Sequence, residues 1–109
     1  FVGFRPVSRV LTGTTTYTAT NDDHFIVCNT TSGNVTVNLP SSPEPNHRIE
    51  VHKMYAPNNV IIKSAGGKYI QTTSTDTRQT KATYNGRRTA TLTYIKEYGL
   101  WIMSLSYQA

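Results

Sequence analysis

The sequence predicts an all-β fold: a compact antiparallel β-sandwich or β-prism-like domain of about eight short strands that assembles as a homotrimer. Eighteen of the 109 residues are threonine and seven are tyrosine, and both types favour pleated, half-buried surfaces. Apolar and polar residues alternate in several short runs, with turn signals about every 8 to 12 residues. No segment keeps a helical period.

Residues 14–109 are predicted to form one domain, preceded by residues 1–13 as an arm or a connection to an upstream region. The first thirteen residues contain Pro6 and two glycines and hold no sustained period. From Thr14 onward, turn residues separate the predicted strands. These strands read, in order, TTYTAT, HFIVCN, NVTVNL, RIEVHKM, VIIKS and KYIQT.

The segment NVTVNLP predicts a strand that stops at a defined position. Val35, Val37 and Leu39 alternate with polar residues, so they share one face of the strand. Pro40 has no N–H with which to continue a ladder, and the strand is therefore expected to end at a buried Leu39. Residues 41–47 are expected to be exposed, to contain no helix and to connect two strands.

The last third of the chain predicts two hairpins. Residues 72–81 are polar throughout and are interpreted as a loop or an edge strand. Asn85-Gly86 lies between β-rich runs and is the preferred pair of a type I′ turn, because both of its positions need positive φ. A second turn at residues 96–99 leads into the closing strand LWIMSLSY.

This closing strand is apolar on both faces. Trp101 and Met103 share one face, while Leu100 and Ile102 share the other. A sheet with one solvated face would not need both, so the strand is expected to be buried on both sides. The residues predicted to form the core or an oligomer interface are Leu39, Leu100, Trp101, Ile102 and Met103.

The amount of apolar side chain also favours association. Only 23 of the 109 residues are Leu, Ile, Val or Phe, which indicates a thin core. A chain of this kind gains stability when copies of it share apolar surface. A closed symmetric assembly lets every copy do so equally.

Several function classes find no support in the sequence. The net charge is +5, but Arg87-Arg88 is the only adjacent basic pair, which argues against nucleic acid as a partner. No apolar run approaches the about 20 residues that cross a bilayer, so no membrane insertion is expected. The single Cys28 follows Ile26 and Val27 in a strand pattern and is predicted to be a buried free thiol.

The sequence also predicts no enzyme. Each of the six carboxylates is interpreted as a solvated charge, although a glycosidase pair that meets only in the fold is left open. His24, His47 and His52 lack metal-ligand spacing. No catalytic residue, metal ligand or cofactor is therefore assigned.

Display of side chains on turns remains as the predicted activity. Sugars are bound by flat aromatic faces together with a few placed polar groups, and guanidinium donors suit acidic or hydroxyl-rich partners. The residues predicted to bind a glycan receptor are Tyr69, Tyr84, Asn85, Arg87, Arg88 and Tyr98. The turn around Asn85-Gly86 is favoured over residues 41–45.

The order of these motifs resembles a module found near the ends of phage tail fibres and tailspikes. The resemblance is carried by TTTYTATNDDHFIVCNTTSGNVTVNLPSSPEPNHRIEVHK, by NVIIKSAGGKYI and by the closing ATLTYIKEYGLWIMSLSY. It covers residues 14–107. It implies a homotrimeric domain at the tail fibre tip of a virion that binds a bacterial surface polysaccharide or lipopolysaccharide.

Two alternatives stay open beside this interpretation. The module can be a purely structural trimerisation clamp, with receptor binding elsewhere. It can also be a monomeric carbohydrate-binding or capsid-surface domain. The resemblance supplies no receptor-binding motif that could be transferred to individual residues.

Overall fold

The computed structural model of the protein describes residues 9–72 and 77–107, and these residues form ten strands in two sheets. This confirms the all-β prediction, and the single helical element of the described residues is a 3₁₀ turn at Lys96–Tyr98. The strands are β1 (Arg9–Thr12), β2 (Thr15–Thr18), β3 (Phe25–Asn29), β4 (Val35–Asn38), β5 (Arg48–Lys53), β6 (Val60–Lys63), β7 (Tyr69–Thr72), β8 (Lys81–Tyr84), β9 (Arg88–Ile95) and β10 (Leu100–Tyr107).

From β1 to β9 the chain alternates between the two sheets, and it folds back within one sheet only at the β9–β10 hairpin. The larger sheet has the order β1-β3-β5-β9-β10-β7, and the smaller sheet has the order β2-β4-β6-β8. Strands that are next but one in sequence therefore become parallel neighbours in the first part of the chain, as β1, β3 and β5 do in one sheet and β2, β4 and β6 in the other. Five strand pairs are parallel and three are antiparallel.

The prediction of an antiparallel arrangement is accordingly wrong for most pairs. Alternation with a period of two reports which face a side chain occupies, and it carries no information about the neighbouring strand. A turn that crosses to the opposite sheet has the same polar composition as a turn that closes a hairpin. The prediction of about eight strands was also slightly low, and the strand it did not include is β1, which lies in the segment interpreted as an arm.

The predicted hairpin at Asn85-Gly86 does not form. β8 pairs with β6 in the smaller sheet, whereas β9 pairs with β5 and β10 in the larger one. Gly86 has φ +75°, but Asn85 does not adopt positive φ, so the turn is not type I′. It carries the chain from one sheet to the other. The second predicted hairpin is confirmed, because Ile95 pairs with Leu100 across the 96–99 turn.

Two predicted boundaries fall partly outside the described residues. Residues 1–8 of the predicted arm are not among them, but β1 lies within the same segment and pairs in parallel with β3. Residues 73–76 of the predicted polar loop are also not among them. The rest of that loop includes Gln79, which forms an antiparallel bridge with Ile70.

The core lies between the two sheets and contains the inward side chains of both. Leu39 is fully buried, and its backbone N–H donates to the Lys63 carbonyl at 2.7 Å just after β4 ends. This confirms the predicted burial of Leu39 at the end of the strand. Residues 41–46 are largely exposed and contain no helix, as predicted.

His47 departs from the prediction for this loop. It is buried at 7% exposure, because its ring lies 6.3 Å from the Trp101 ring in an edge-on arrangement. Its Nε2 lies 3.0 Å from the Asp23 carbonyl oxygen. His47 therefore closes one end of the core, and the exposed part of the loop stops at Asn46.

The closing strand has two faces, as its alternation predicts, and each face has a different environment. Trp101 and Met103 are buried between the sheets of one chain. Leu100 and Ile102 lie on the outer face of the larger sheet, where Leu100 is buried at 4% exposure and Ile102 is half-buried. The burial of Trp101 thus requires no second subunit, and only the outer face remains for one.

Candidate functional site

The turns of the domain collect at two opposite ends, and the predicted glycan-binding residues divide between them. Within the β9–β10 pair, Arg88 is opposite Tyr107 at one end and Ile95 is opposite Leu100 at the other. An eight-residue strand spans about 23 Å at about 3.3 Å per residue. We call these the arginine end, with residues 30–34, 54–59 and 85–88, and the tyrosine end, with residues 19–24, 40–48, 64–69 and 96–99.

Tyr84 belongs to neither end and is withdrawn from the predicted receptor contacts. It is 4% exposed and packs in the core, because β8 directs Ala82 and Tyr84 to the same, inner face. Its hydroxyl donates to the Val51 carbonyl at 2.8 Å. Burial raises the pKa of Tyr84 well above its ordinary value.

The arginine end brings the turn after β5 next to the turn before β9. His52 pairs with Thr89 in the register of these two strands, so residues 54–59 and 85–88 emerge at the same edge of the sheet. Tyr55 is 42% exposed on the first turn. Asn85 and Arg87 are exposed on the second, and Arg88 is half-buried. An aromatic ring, an amide and two guanidinium groups therefore share this end.

A buried lysine fixes the turn that carries Tyr55. Alternation in β5 places Lys53 on the core side together with Ile49 and Val51, and Lys53 is fully buried. Its Nζ donates to the carbonyl oxygens of Tyr55, Ala56 and Pro57, at 2.8 Å for Ala56 and 3.4 Å for Pro57. Burial lowers the pKa of Lys53, while the carbonyl acceptors satisfy the amine. The turn is thus closed around one internal donor.

Side-chain hydrogen bonds join this turn to its neighbour at residues 30–34. The buried Thr30 donates from its hydroxyl to the Pro57 carbonyl at 2.6 Å. Asn58, at φ +64°, donates from its amide to the Thr30 carbonyl at 2.8 Å. Asn34 accepts the Asn59 backbone N–H at 2.8 Å. The arginine end is therefore held by a connected set of bonds.

Sequence reasoning missed this support. The sequence predicts a break between strands at Pro57-Asn58-Asn59 and places Tyr55, just before it, among the side chains displayed on turns, but Lys53 is interpreted only as part of the RIEVHKM run. One signal was available: Lys53 occupies the apolar phase of the alternation that begins at Ile49. A lysine in that phase needs internal acceptors.

The tyrosine end presents the two remaining predicted tyrosines. Tyr69 is 41% and Tyr98 is 66% exposed. The Tyr69 backbone N–H donates to the Gly99 carbonyl at 3.2 Å, which brings the start of β7 beside the turn that carries Tyr98. Lys68 and Lys96 flank them in sequence. This end is the second place where aromatic rings and cations meet.

The loop at residues 41–47 belongs to the tyrosine end and is tied to the turns beside it. The Asn21 amide donates to the Ser42 carbonyl and accepts the Glu44 backbone N–H, both at 3.1 Å. A Cβ placed on Gly66 would collide with the Ser41 carbonyl oxygen. This loop therefore lies on the opposite side of the molecule from Asn85 and Arg87.

Other polar clusters among the described residues have structural partners. Asp23 is buried and accepts bonds from the Tyr17 hydroxyl and the Thr20 backbone N–H, both at 2.8 Å. Arg9 donates to the Tyr17 hydroxyl at 3.1 Å. Burial raises the pKa of Tyr17. Within residues 9–72 and 77–107, no group of three or more His, Cys, Asp or Glu side chains is placed to hold a metal ion.

Cys28 is a buried free thiol, as predicted. Burial raises its pKa to about 12. Since the thiolate is the reactive form, the thiol is inert in the folded protein.

Comparison with protein-family models, with curated proteins and with solved structures gives no match for this chain. In the described part of the chain, no helix has the length and apolar character needed to cross a membrane.

Proposed function

We propose that this protein is the distal, non-enzymatic domain of a phage tail fibre, which assembles as a homotrimer at the fibre tip and binds a bacterial surface polysaccharide or lipopolysaccharide. The proposal joins the resemblance of residues 14–107 to the arrangement of side chains at the arginine end. The observation that carries it is the closure of the Tyr55 turn around the buried amine of Lys53.

A turn fixed in this way suits the binding of a flexible ligand. Ordering a loop on binding costs free energy, and a loop that is already ordered avoids that cost. The three carbonyls that accept from Lys53, together with the bonds from Thr30 and Asn58, hold the backbone beneath the exposed Tyr55 ring. The ring can therefore stack on a sugar without prior ordering of its turn.

The charges at this end favour an acidic glycan. Arg87 and Arg88 contribute two cations at the same end as Tyr55, and Asn85 adds an amide that can both donate and accept. Guanidinium groups bind carboxylates and phosphates through paired donors. The net charge of +5 adds long-range attraction to anionic cell surfaces. The ligand class that fits is a polysaccharide with carboxylate or phosphate groups.

The test is binding of the purified domain to an array of bacterial polysaccharides and lipopolysaccharides, with three pairs of substitutions compared at matched assembly state. Arg87→Ala with Arg88→Ala is expected to reduce binding to acidic glycans at least tenfold. Glu44→Ala with Asn46→Ala is the matched control at the opposite end and is expected to retain binding. Tyr69→Ala with Tyr98→Ala separates the two tyrosine-bearing ends.

The outcomes distinguish the proposed site from its alternatives. If the 69/98 pair removes binding while the 87/88 pair retains it, the receptor site is at the tyrosine end. If the 44/46 pair alone removes binding, the loop at residues 41–47 is the site. An assembled domain that binds no member of a broad array would instead support the purely structural trimerisation clamp.

The assembly is tested separately by light scattering at micromolar concentration. About three times the chain mass is expected for the wild-type protein. A mass of one chain that persists as concentration rises would contradict the trimer and favour a monomeric carbohydrate-binding or capsid-surface domain.

A further inference from the structure

The outer faces of the two sheets differ sharply in composition. On the smaller sheet the outward side chains are mostly polar, and Ile61 is the one apolar member among the described residues: Thr16, Thr18, Thr36, Asn38, Ile61, Lys63, Lys81 and Thr83. On the larger sheet, six outward side chains are aliphatic or phenyl: Val10, Phe25, Val27, Ile95, Leu100 and Ile102. Of these, Val10 is exposed, Phe25, Val27, Ile95 and Ile102 are half-buried, and Leu100 is buried. Apolar surface that stays accessible marks interaction sites.

These apolar side chains form two separate patches on the larger sheet. The first, which we call the hairpin corner, consists of Ile95 and Ile102, which are half-buried, and of Leu100 between them, which is already 4% exposed within the single chain. The second, which we call the edge corner, consists of Val10, Phe25 and Val27 on β1 and β3. Val10 is 67% exposed.

The charged and polar residues of β5 and β9 lie between the two corners. Arg48 and Glu50 point outward from β5 and form an ion pair of 3.8 Å. Three strand spacings separate β3 from β10 in the sheet order, or about 14 Å at about 4.8 Å per spacing. Each corner is therefore too far from the other to be covered by it within one chain.

We infer that the outer face of the larger sheet is the interface between copies of this chain, with the hairpin corner of one copy packed against the edge corner of the next. This inference rests on the proposed homotrimer and assigns its contact surface. Two different patches that meet head to tail generate a closed ring when the rotation between copies allows it. Three copies then use every corner once.

The charge distribution supports a second copy as the occupant of this face. The chain carries a net charge of +5, so copies repel one another in most orientations. Arg48 and Glu50 make the outer face of the larger sheet formally neutral. Lys63 and Lys81 make that of the smaller sheet positive. Like charges placed opposite each other are destabilising, so the larger sheet is the face on which copies repel least.

The experiment uses one lysine substitution in each corner and a matched control on the other sheet. Ile102→Lys disrupts the hairpin corner, and Val27→Lys disrupts the edge corner. Ile61→Lys places the same change on the outer face of the smaller sheet. Sedimentation velocity over a hundredfold range of concentration reports the mass of each variant. Circular dichroism checks that each one is folded.

The head-to-tail contact predicts a specific pattern. Ile102→Lys and Val27→Lys are each expected to be monomers, and Ile61→Lys is expected to remain a trimer. A mixture of the two monomeric variants is expected to form dimers but no trimers. In such a pair one intact hairpin corner meets one intact edge corner, and no third contact can close the ring.

Every other pattern overturns the inference. If either corner variant remains trimeric, that corner is not in the interface. If the mixture stays monomeric at the highest concentration, the corners do not pair with each other. A monomeric wild-type protein would contradict the proposed trimer before any variant is compared. Where lysine prevents folding, Ile102→Thr and Val27→Thr replace it, and each is then expected to raise the dissociation concentration at least tenfold.

Discussion

At the scale of single residues, Lys53 is a buried lysine that holds a turn of the candidate site. A buried ammonium group is stable only when its donors are satisfied, and here the acceptors are three consecutive carbonyls of the turn that follows β5. The same residue therefore supports both the stability of the fold and the shape of the arginine end.

Replacing Lys53 by Met tests this role. The thioether keeps most of the stem in the core but removes the donor, so carbonyl oxygens of the turn lose their partner. We expect the free energy of unfolding to fall by about 1–3 kcal/mol, as measured by urea denaturation. Lys63→Met is the matched control, because Lys63 ends β6 as an exposed residue. If both variants lose the same stability, the carbonyl contacts contribute nothing of their own.

His52 makes the stability of the domain depend on pH. Its Nδ1 lies 2.8 Å from the Thr89 hydroxyl, and burial lowers its pKa in the folded protein. The unfolded chain therefore binds a proton at a higher pH than the folded one. Above the unfolded pKa of about 6.5 both forms are neutral. As pH falls through that value toward the lower folded pKa, stability is lost.

We expect the melting temperature of the wild-type protein to decrease between pH 7.5 and pH 5 partly for this reason. His52→Gln removes the titrating group and should make that decrease shallower. Thermal unfolding followed by circular dichroism measures both proteins, and the difference between them isolates His52 from His24 and His47. Parallel pH profiles would show that His52 makes no contribution.

At the scale of elements, the turn at residues 64–68 is coupled to the loop at residues 41–47. Gly66 and Gly67 have φ of +64° and +75°, so an alanine is strained at either position. The space around them differs: a Cβ on Gly66 would meet the Ser41 carbonyl, whereas a Cβ on Gly67 would meet nothing within 4 Å.

This difference predicts two distinct costs. Gly67→Ala is expected to lower the free energy of unfolding by about 1–2 kcal/mol from backbone strain alone. Gly66→Ala is expected to lower it further, because Ser41 or the turn must move to make room for the Cβ. Chemical denaturation of the two variants measures the comparison. Equal losses would mean that the loop at residues 41–47 yields freely and is not held by the turn.

The elements also show what the sequence could and could not predict. Alternation predicted the inward faces correctly, including Leu39 and the Trp101 side of the closing strand, because burial depends on the local pattern. It did not predict which strands are neighbours. Asn85-Gly86 has hairpin chemistry, yet the pairing of β8 with β6 decides its path, and that pairing involves residues more than twenty positions away.

The candidate site was predictable to a similar degree. Arg87 and Tyr98 are exposed on turns, as turn residues usually are. Their separation to opposite ends follows from the length and direction of β9, which local sequence does not determine. The prediction that Tyr84 is a surface residue was wrong, because Tyr84 lies on the same face of the strand as Ala82. That signal was present in the strand pattern.

At the scale of the whole molecule, one aromatic residue fills the core near the tyrosine end. Trp101 is fully buried, with ring centroids 5.3 Å from Tyr94 and 6.3 Å from His47. Its indole N–H has no hydrogen-bond partner among the described residues. The contribution of Trp101 is therefore one of volume and apolar contact within a single chain.

Trp101→Ala is expected to lower the free energy of unfolding by about 3–5 kcal/mol, even at concentrations where the protein is monomeric. Trp101→Phe is the matched control and should lose less, because it fills most of the space and gives up no hydrogen bond. Denaturation at two protein concentrations measures both. A loss that appears only in the assembled state would instead place Trp101 at an interface.

The alternation of the chain between two sheets has a consequence for how such a protein can change in length. Phe25 pairs with Glu50 and Val35 pairs with Val60. One winding, meaning the stretch of chain that contributes one strand to each sheet, therefore has the same length in both sheets. An in-frame duplication of residues 35–59 would add one strand to each sheet and leave every later strand in its original sheet. An added strand that crosses to the other sheet would send each later strand to the opposite sheet, whereas a strand added as a hairpin, like β10 after β9, would not. A whole winding is therefore the unit by which this arrangement could lengthen or shorten while every other strand keeps its sheet and its inward face.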